Sequence, residues 1–523
     1  MGLMIAQSVY DFRIMREKGY RYVDKTDLLY PLVTRDGDAF YFISRPRRFG
    51  KSLMLSTLEN IFRGRRDLFK GLAIDKMDYV WESYPILHFN FSGLNVETLE
   101  VFEIDFRNYV KKVLIEAGCK WDDTISSHAN FDRAIYFLKQ NRGKSVVILI
   151  DDYDAPTNAA LNDVAKAKAI RSEVINFCGE IKNNVSDIHF SMMTGVTRYV
   201  PDSIFSTLNN LIDLTMASRY ATLLGYTEEE LEANFSPSLH AHADIMGLPY
   251  EDYRAELRRW YNGYRFAKNN AVRVYNPVAI AKTIGPKEPT FAPTWSKTGT
   301  PSVLINYLSD HELTEMDYDN VENISEDDLD ICRLEAILPV SILYQSGYLT
   351  IKDYSEWGFT LGVPNEEVRR GLALLLAQYA TKGFAVDYHG SLCMLLGKCY
   401  FQGFFAKLKA LYAHLTHGST EIRVHESSYL RPLYALLASH PALRVIAEDT
   451  QAKGRADLVV ESQRNVFIFE LKVDKSAAEA IAQIKANGYA EPYKALGKPI
   501  YLIGLNFKSA THSLDDAVVE PLA

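Results

Sequence analysis

Cysteine is scarce in this chain: there are five in 523 residues, Cys119, Cys178, Cys332, Cys393 and Cys399. Scattered, odd in number and free of any CxxC spacing, they argue against a disulfide framework or a zinc ribbon and point to a reducing, cytoplasmic setting. No apolar run approaches the roughly 20 residues a membrane-spanning helix needs, and the mean hydropathy of −0.13 agrees. The opening Met1-Gly2-Leu3-Met4-Ile5-Ala6 lacks a basic region, and Ala6 stands where a myristoylation signal needs Ser or Thr. Neither export nor a membrane partner is expected. Basic charge is not in excess either: 58 Lys and Arg against 66 Asp and Glu leave a net charge of −8. No global field attracts nucleic acid, so any such site must be a local patch. Fixed-period repeats, HExxH and GxSxG are all missing. His240 with His242, and His414 with His417, read as surface histidines rather than zinc ligands.

What is present suits a chain with several cores. The length suggests about three domains at roughly 150 residues each, and 47% hydrophobic with 12% aromatic residues is ample to fill them. In the first third, short apolar runs alternate with helical spacing. Ala39–Ile43, Tyr84–Phe91, Val146–Ile150 and Ile188–Met193 read as strands; Leu53–Phe62 and the stretches near 100–117 and 161–184 read as helices. Continuous apolar strands with crossover helices predict a parallel sheet. Charged helices follow from Tyr226 to about Arg265, then a Pro/Gly/Thr-rich stretch from Tyr275 to Pro301. Residues 302–415 read as mostly helical, with a strand-like insert at 346–353, and carry no assignable chemistry. From Glu421 a helix (424–438), strands at 444–450, 456–460 and 466–473, a helix at 476–487 and a strand at 499–505 spell a compact α/β module.

Between the first strand and its helix lies Arg45-Pro46-Arg47-Arg48-Phe49-Gly50-Lys51-Ser52. Its ending has the form of a phosphate loop: Gly50 lets the backbone amides turn toward phosphate oxygens, Lys51 reaches the β and γ oxygens, and Ser52 is placed to hold Mg²⁺ at a helix N-terminus. The usual first glycine is replaced by Arg45, and the cluster Arg45, Arg47 and Arg48 is expected at the phosphates. The apolar strand Val146–Ile150 ends in Asp151-Asp152, the form of an acidic metal-holding strand end. Asp151 would support Mg²⁺ and Asp152 would orient the attacking water, while Thr194, ending the next strand, would sense the γ-phosphate. Either motif alone also fits an ordinary basic turn or a solvated strand end; the two together, in this order, point to a nucleotide site. Asp152 is one methylene shorter than the commoner Glu, so slow hydrolysis with intact binding is expected.

The runs Tyr22-Val23-Asp24-Lys25-Thr26, Arg45–Ser52, Ile150-Asp151-Asp152-Tyr153-Asp154, Thr194-Gly195-Val196, Trp260-Tyr261-Asn262-Gly263-Tyr264 and Tyr275-Asn276-Pro277 resemble bacterial AAA-ATPase-like proteins that carry a C-terminal nuclease-fold domain. The similarity extends over nearly the whole chain. It implies a P-loop fold and ATP binding. Arg198, Arg219 and Arg265 are candidates for phosphate contact, although a structural role is the simpler reading of each. The Trp260–Tyr264 aromatics read as a small core beside a turn.

Near the C-terminus, Asp457, Glu470 and Lys472 spell Asp-x₁₂-Glu-x-Lys on two adjacent strands. Residues i and i+2 of a strand share a face, so Glu470 and Lys472 project together beside Asp457. Two carboxylates at that separation repel unless a divalent cation lies between them, and Mg²⁺ or Mn²⁺ suits such an oxygen set. Lys472 would orient or deprotonate the attacking water. This is the PD-(D/E)XK constellation; an exposed Glu–Lys ion pair is the plainer alternative. Glu426 opens a helix whose Leu430, Leu433 and Leu437 share its face, placing that acid toward the sheet. Glu426–Tyr429, Glu448, Gly454–Asp457 and Glu470–Lys472 through Gln483 resemble the nuclease domain of the same proteins. Lys453, Arg455, Lys472, Lys475 and Lys485 would give only a modest basic rim.

The expected organisation is therefore an AAA-like P-loop domain over residues 1–225, a helical lid and middle region over 226–420, and a restriction-endonuclease-like α/β domain over 421–523. The expected work is ATP-controlled, Mg²⁺-dependent cleavage of DNA phosphodiesters, with a homo-oligomer left open. The alternative is a nucleotide-switched signalling or scaffold ATPase whose nuclease-like fold only binds nucleic acid.

Overall fold

The computed structural model describes residues 5, 9–34, 40–199, 211–286, 289–294, 320–330, 338–380, 385–415, 426–440, 442–451 and 454–522. Ala39, Cys332, His417, Lys453 and the segment 421–425 lie outside the described residues, as do the side chains of His414 and Glu448. The described residues up to 366 form one compact unit and those from 367 onward a second.

The first unit is built on a parallel sheet of β1 (Phe40–Ser44), β2 (Ile86–Asn90), β3 (Val146–Asp151), β4 (Ile188–Gly195) and β5 (Ile212–Asp213), in the order β2-β3-β4-β1-β5. All of β1 and β3 is buried, which is why both read as unbroken apolar runs. β4 separates them, with Ile43 opposite Thr194 and Ile150 opposite Met193. The loop leaving β1 and the acidic end of β3 therefore open on the same carboxyl edge of the sheet, the usual ligand edge of such sheets.

The helix Lys51–Phe62 begins directly after Gly50, whose φ of +98° suits glycine. It turns Met54, Leu55, Leu58, Ile61 and Phe62 inward. Side-chain caps from Thr98, Ser126 and Asp163 start the crossover helices Leu99–Glu116, Ser127–Arg142 and Val164–Asn183; the middle one is not evident from spacing alone.

Helices Glu228–Met246 and Tyr250–Tyr261 follow, the first with a capping box between Thr227 and Glu230. They enclose a core of Leu231, Phe235, Tyr253, Trp260, Tyr261 and Tyr275, as expected for the aromatic run. Gly263 has φ +112°, and a Cβ there would stand 2.1 Å from the Pro364 carbonyl oxygen, so only glycine fits. The Pro/Gly/Thr-rich stretch opens with a helix, Pro277–Ile284, capped by Asn276. Further on, β6 (Val321–Ile324), β7 (Thr350–Ser355) and β8 (Gly358–Gly362) form a small antiparallel sheet in the order β6-β8-β7.

The second unit contains β9 (Leu443–Gln451), β10 (Gly454–Ser462), β11 (Val466–Val473), β12 (Ile500–Lys508) and β13 (Ser513–Pro521), in the order β13-β12-β11-β10-β9. β11 and β12 are parallel and are joined through the helix Ala477–Asn487; the other pairs are antiparallel. That helix comes so close that a Cβ at Gly504 would lie 2.2 Å from the Ala477 carbonyl oxygen. The helix Phe401–Leu415 also packs on this sheet, with Phe404 against Phe469 and Tyr412 against Phe507.

Candidate functional site

At the carboxyl edge of the parallel sheet lies a cleft of about 530 Å³. Arg48 and Gly50 line it from the loop after β1, Lys51 and Ser52 from the first turn of the following helix, and Asp152 and Asp154 from just beyond β3. Lys51 is 6% exposed and donates to the Arg45 and Pro46 carbonyls at 2.9 and 3.4 Å. Its Nζ stands 3.9 Å from Asp152 Oδ1. Asp152 has φ +49°, a conformation aspartate tolerates better than most residues. Burial, with Asp151 and Asp154 nearby, raises its pKa to about 6 against the opposing pull of Lys51 and Arg47.

Asp151 and Thr194 stand behind the cleft wall, 1% and 0% exposed. The Thr194 hydroxyl donates to Asp151 Oδ1 at 2.6 Å, and Asn90 Nδ2 donates to the other oxygen at 3.2 Å.

Arg45 is not at the phosphate edge. It is 1% exposed and turned into the interior, where Nη1 donates to the Ser44 and Thr215 carbonyls at 2.8 and 2.7 Å and Nη2 to that of Tyr220 at 3.3 Å. Its guanidinium lies 4.2 Å from the Phe266 ring centroid. Burial pushes its pKa down to about 10, and the three carbonyls and the ring offset the cost of desolvating it. The missing motif glycine follows from the same geometry: the left-handed bends of this loop fall at Arg48, φ +71°, and Gly50, so position 45 needs none.

Arg265 is likewise structural, its guanidinium held by the Ala267 and Lys268 carbonyls, and Arg198 pairs with Asp213 at 3.0 Å. His242 is buried, not on the surface, whereas His240 is exposed and stacks on Tyr250.

Asp154 received no role from the sequence. Its carboxylate, 1% exposed, accepts from the Val196 and Thr197 amides at 3.1 and 2.6 Å and from Asn158 Nδ2 at 2.6 Å. A Cβ on Gly195 would meet Asp154 Oδ1 and the Tyr153 ring, both at 2.6 Å. The glycine of Thr194-Gly195-Val196 thus makes room for the two residues that end Asp151-Asp152-Tyr153-Asp154.

The second unit brings Asp457, Glu470 and Lys472 together. Lys472 Nζ donates to Glu470 Oε1 at 3.1 Å and to the Leu471 carbonyl at 2.9 Å, and lies 3.5 Å from Glu426 Oε1. Asp457 Oδ2 accepts the Leu471 amide at 2.7 Å. The plainer alternative, an exposed Glu–Lys pair, does not hold: Glu470 is 1% and Lys472 7% exposed. Glu470 Oε2 is buried and has no hydrogen-bond partner among the described residues. Burial first, and then the Asp457 charge, raise the Glu470 pKa to about 7; burial also raises that of Asp457. For Lys472 burial works the other way, but the surrounding carboxylates outweigh it and hold the ammonium above its ordinary pKa. Such a lysine is a donor at neutral pH. Lys485 pairs with Glu520 and offers little free charge to a basic rim.

No group of three or more His, Cys, Asp or Glu residues among those described is close enough to enclose a metal ion. The carboxylate pair nonetheless fits a hard divalent cation that keeps most of its waters: the unpartnered Glu470 Oε2 needs a positive or donating neighbour, and the two mutually repelling acids are costly without one.

The fold and the two clusters define a class, a P-loop ATPase-like chain with a nuclease-like C-terminal domain. Residues 7–205 match the family model of predicted AAA-ATPases, and residues 424–516 that of the PD-(D/E)XK nuclease superfamily. Across 98% of this chain and 97% of the relative, the sequence is 32% identical to a protein of Azotobacter chroococcum mcd 1 described as an uncharacterized protein in the vnfD 5′ region. The chain belongs to the family of AAA-ATPase-like proteins with a C-terminal PD-(D/E)XK domain. Among the described residues no helix is long and apolar enough to cross a membrane.

Proposed function

We propose that this chain binds and hydrolyses ATP in the 530 Å³ cleft and cleaves DNA phosphodiesters at the Asp457–Glu470–Lys472 cluster under nucleotide control. We place its work in the cytoplasm, and keep residues 1–225, 226–420 and 421–523 as its functional division. The observation that carries the nuclease half is Glu470: buried, raised to about 7, with one oxygen unpartnered beside a second acid and a lysine.

In the cleft, Gly50 and Ser52 present the N-terminal end of their helix to phosphate oxygens, and Lys51 exchanges its loop carbonyls for the β and γ oxygens. Ser52, supported by Asp151, would hold Mg²⁺, and Arg48 would add charge at the rim. Asp152 orients the attacking water, and Thr194 fixes Asp151 from behind. In the second unit Asp457 and Glu470 would hold Mg²⁺ or Mn²⁺. A bound divalent ion there would supply charge stabilisation and an acidified water. Lys472, held protonated, donates to the scissile phosphate or to the attacking water, and Glu426 keeps the lysine in place.

A second role, a nucleotide switch with slow turnover, is favoured by the short Asp152 side chain, which faces Lys51 at 3.9 Å. One experiment separates the two. Cleavage of plasmid, linear and single-stranded DNA is measured with Mg²⁺ or Mn²⁺, with and without ATP, for the full chain and for Asp457→Ala and Lys472→Ala. Cleavage that is lost in both variants supports the nuclease. A wild-type chain that cuts nothing under any of these conditions leaves the switch.

A further inference from the structure

Gly50 lines a second cavity as well as the cleft: an apolar recess of about 500 Å³, its open mouth included, to which none of Lys51, Ser52, Asp152 and Asp154 contributes. Its walls come from three parts of the chain. Phe49, Leu53 and Met54 belong to the phosphate loop and the first turn of its helix, Val23 to the N-terminal segment, and Leu224 and Tyr226 to the segment ahead of the helix Glu228–Met246. Leu53 and Tyr226 are only half-buried, so both offer surface to an occupant.

Gly50 joins the two cavities. Beyond its chain neighbours, a Cβ built on it would approach only Leu224 Cδ2 among the described residues, at 4.0 Å. The face where a side chain would stand therefore looks across the recess and leaves it open to the phosphate edge. The walls are also set in advance. Lys25, 8% exposed, donates to the Thr222 carbonyl and to both oxygens of Glu230 at 2.6 Å, clasping the N-terminal segment to the far wall. Gly225, φ +96°, is so close to Val274 that a Cβ would stand 2.7 Å from its Cγ2. The Tyr22 hydroxyl shares a hydrogen bond with Thr57 Oγ1 at 3.3 Å. The polar tips of Lys25 and Tyr22 are thus committed to the chain, and the lining left over is mostly carbon. A preformed slot of that kind suits a flat heterocycle.

A nucleotide with its γ-phosphate and attacking water at Lys51 and Asp152 carries its nucleoside at the opposite end of the phosphate chain. The cavity that opens past Gly50, walled by the first turn of the same helix, is placed to receive it. We propose that this recess holds the base of the bound nucleoside triphosphate, among Leu53, Leu224 and Tyr226. This rests on the nucleotide reading of the cleft and adds where and how the base is held: by burial of its faces against carbon.

The test is titration of the full chain with ATP and with inorganic tripolyphosphate for wild type, Leu53→Trp, which fills the recess, and Leu53→Ala, which removes one contact. Leu53→Trp should weaken ATP about tenfold or more, the usual size of one base–aromatic contact, and Leu53→Ala severalfold, with tripolyphosphate unchanged in both. Irradiation of the wild-type chain with 2-azido-ATP should label recess residues 22–25, 53–54 or 223–226, and excess ATP should compete the label away. ATP binding unaltered by Leu53→Trp would overturn the proposal, as would an equal loss for ATP and tripolyphosphate, or labelling confined to Tyr10 and 155–159 in the cleft. A wild-type chain that binds neither ATP nor tripolyphosphate would overturn the nucleotide reading itself.

Discussion

Lys472 reaches Glu470 Oε1 at 3.1 Å and leaves Oε2 of the same carboxylate buried without a partner among the described residues. Lys472 satisfies one oxygen of this acid, and the backbone amide of Asp457 also steadies the carboxylate.

The Glu470 carboxyl is raised from 4.5 to about 7, so the folded protein holds a proton that the unfolded chain releases. A raised carboxylate pKa makes stability fall as pH rises from about 4.5 to about 7, by on the order of 3 kcal/mol for this group. In metal-free buffer the melting temperature of wild type should drop across that window relative to Glu470→Gln. At pH 8, Mn²⁺ should raise the melting temperature of wild type and not that of the variant. Parallel pH profiles for the two proteins would count against this role for Glu470.

Lys51→Ala removes the ammonium that ties down the Arg45 and Pro46 carbonyls and would meet the phosphates. Loss of a charge-assisted contact of about 1.5–3 kcal/mol weakens ATP about tenfold or more. The response of the melting temperature to Mn²⁺ should be retained, since the second cluster lies in the other unit. If the Mn²⁺ response disappeared as well, the division into two independent sites would fail.

With Asp152 raised to about 6 by burial and its acidic neighbours, the water-orienting form appears as pH rises through that value. ATPase kcat/KM should therefore climb through about pH 6 and level off. Asp152→Asn should flatten the profile at a low rate, and Asp152→Glu, restoring the missing methylene, should raise turnover severalfold with unchanged ATP affinity. Steady-state kinetics over pH 5–8 decides this; a profile in Asp152→Asn identical to wild type would remove the residue from the reaction.

Gly195→Ala sets a Cβ 2.6 Å from Asp154 Oδ1 and from the Tyr153 ring. Relief requires Asp154 to give up amides it holds at Val196 and Thr197. A loss of about 1–3 kcal/mol is expected from such overpacking, together with weaker ATP binding. Denaturant melts and nucleotide titration read the two effects separately, and a variant as stable as wild type would contradict the close packing.

Arg45→Gly restores the phosphate-loop glycine and should nevertheless harm the protein. It empties a site where the guanidinium bridges three carbonyls and covers Phe266, at a cost of about 3 kcal/mol or more. ATP affinity should not improve. A stable variant with tighter ATP binding would show that position 45 belongs to the phosphate site after all.

Sequence spacing carries β1, β3, β4 and the helix Lys51–Phe62, because strands buried on both faces are rich in apolar residues and the left-handed turn before that helix falls on a glycine. It also carries the Glu470–Lys472 pair, since alternation along a strand puts i and i+2 on one face. It does not carry β13, whose Asp515 and Asp516 interrupt any apolar alternation in a strand paired on one side only. The helix Ser127–Arg142 is also missed, its core residues Phe131, Ala134, Ile135 and Leu138 diluted by polar neighbours.

Near neighbours along the chain settle the strand and helix periods, the loop before Lys51, the acidic end of β3, and the order in which these occur. Tertiary structure alone decided what each charged group does. Arg45 and Arg48 stand three residues apart, yet one is sealed against Thr215, Tyr220 and Phe266 and the other lines the cleft. Asp152 and Asp154 are two apart, yet one faces Lys51 and the other holds the amides of Val196 and Thr197. The reason is physical: the free energy of a charge depends on its burial and on partners brought from far along the chain, and neither is written in its immediate neighbours.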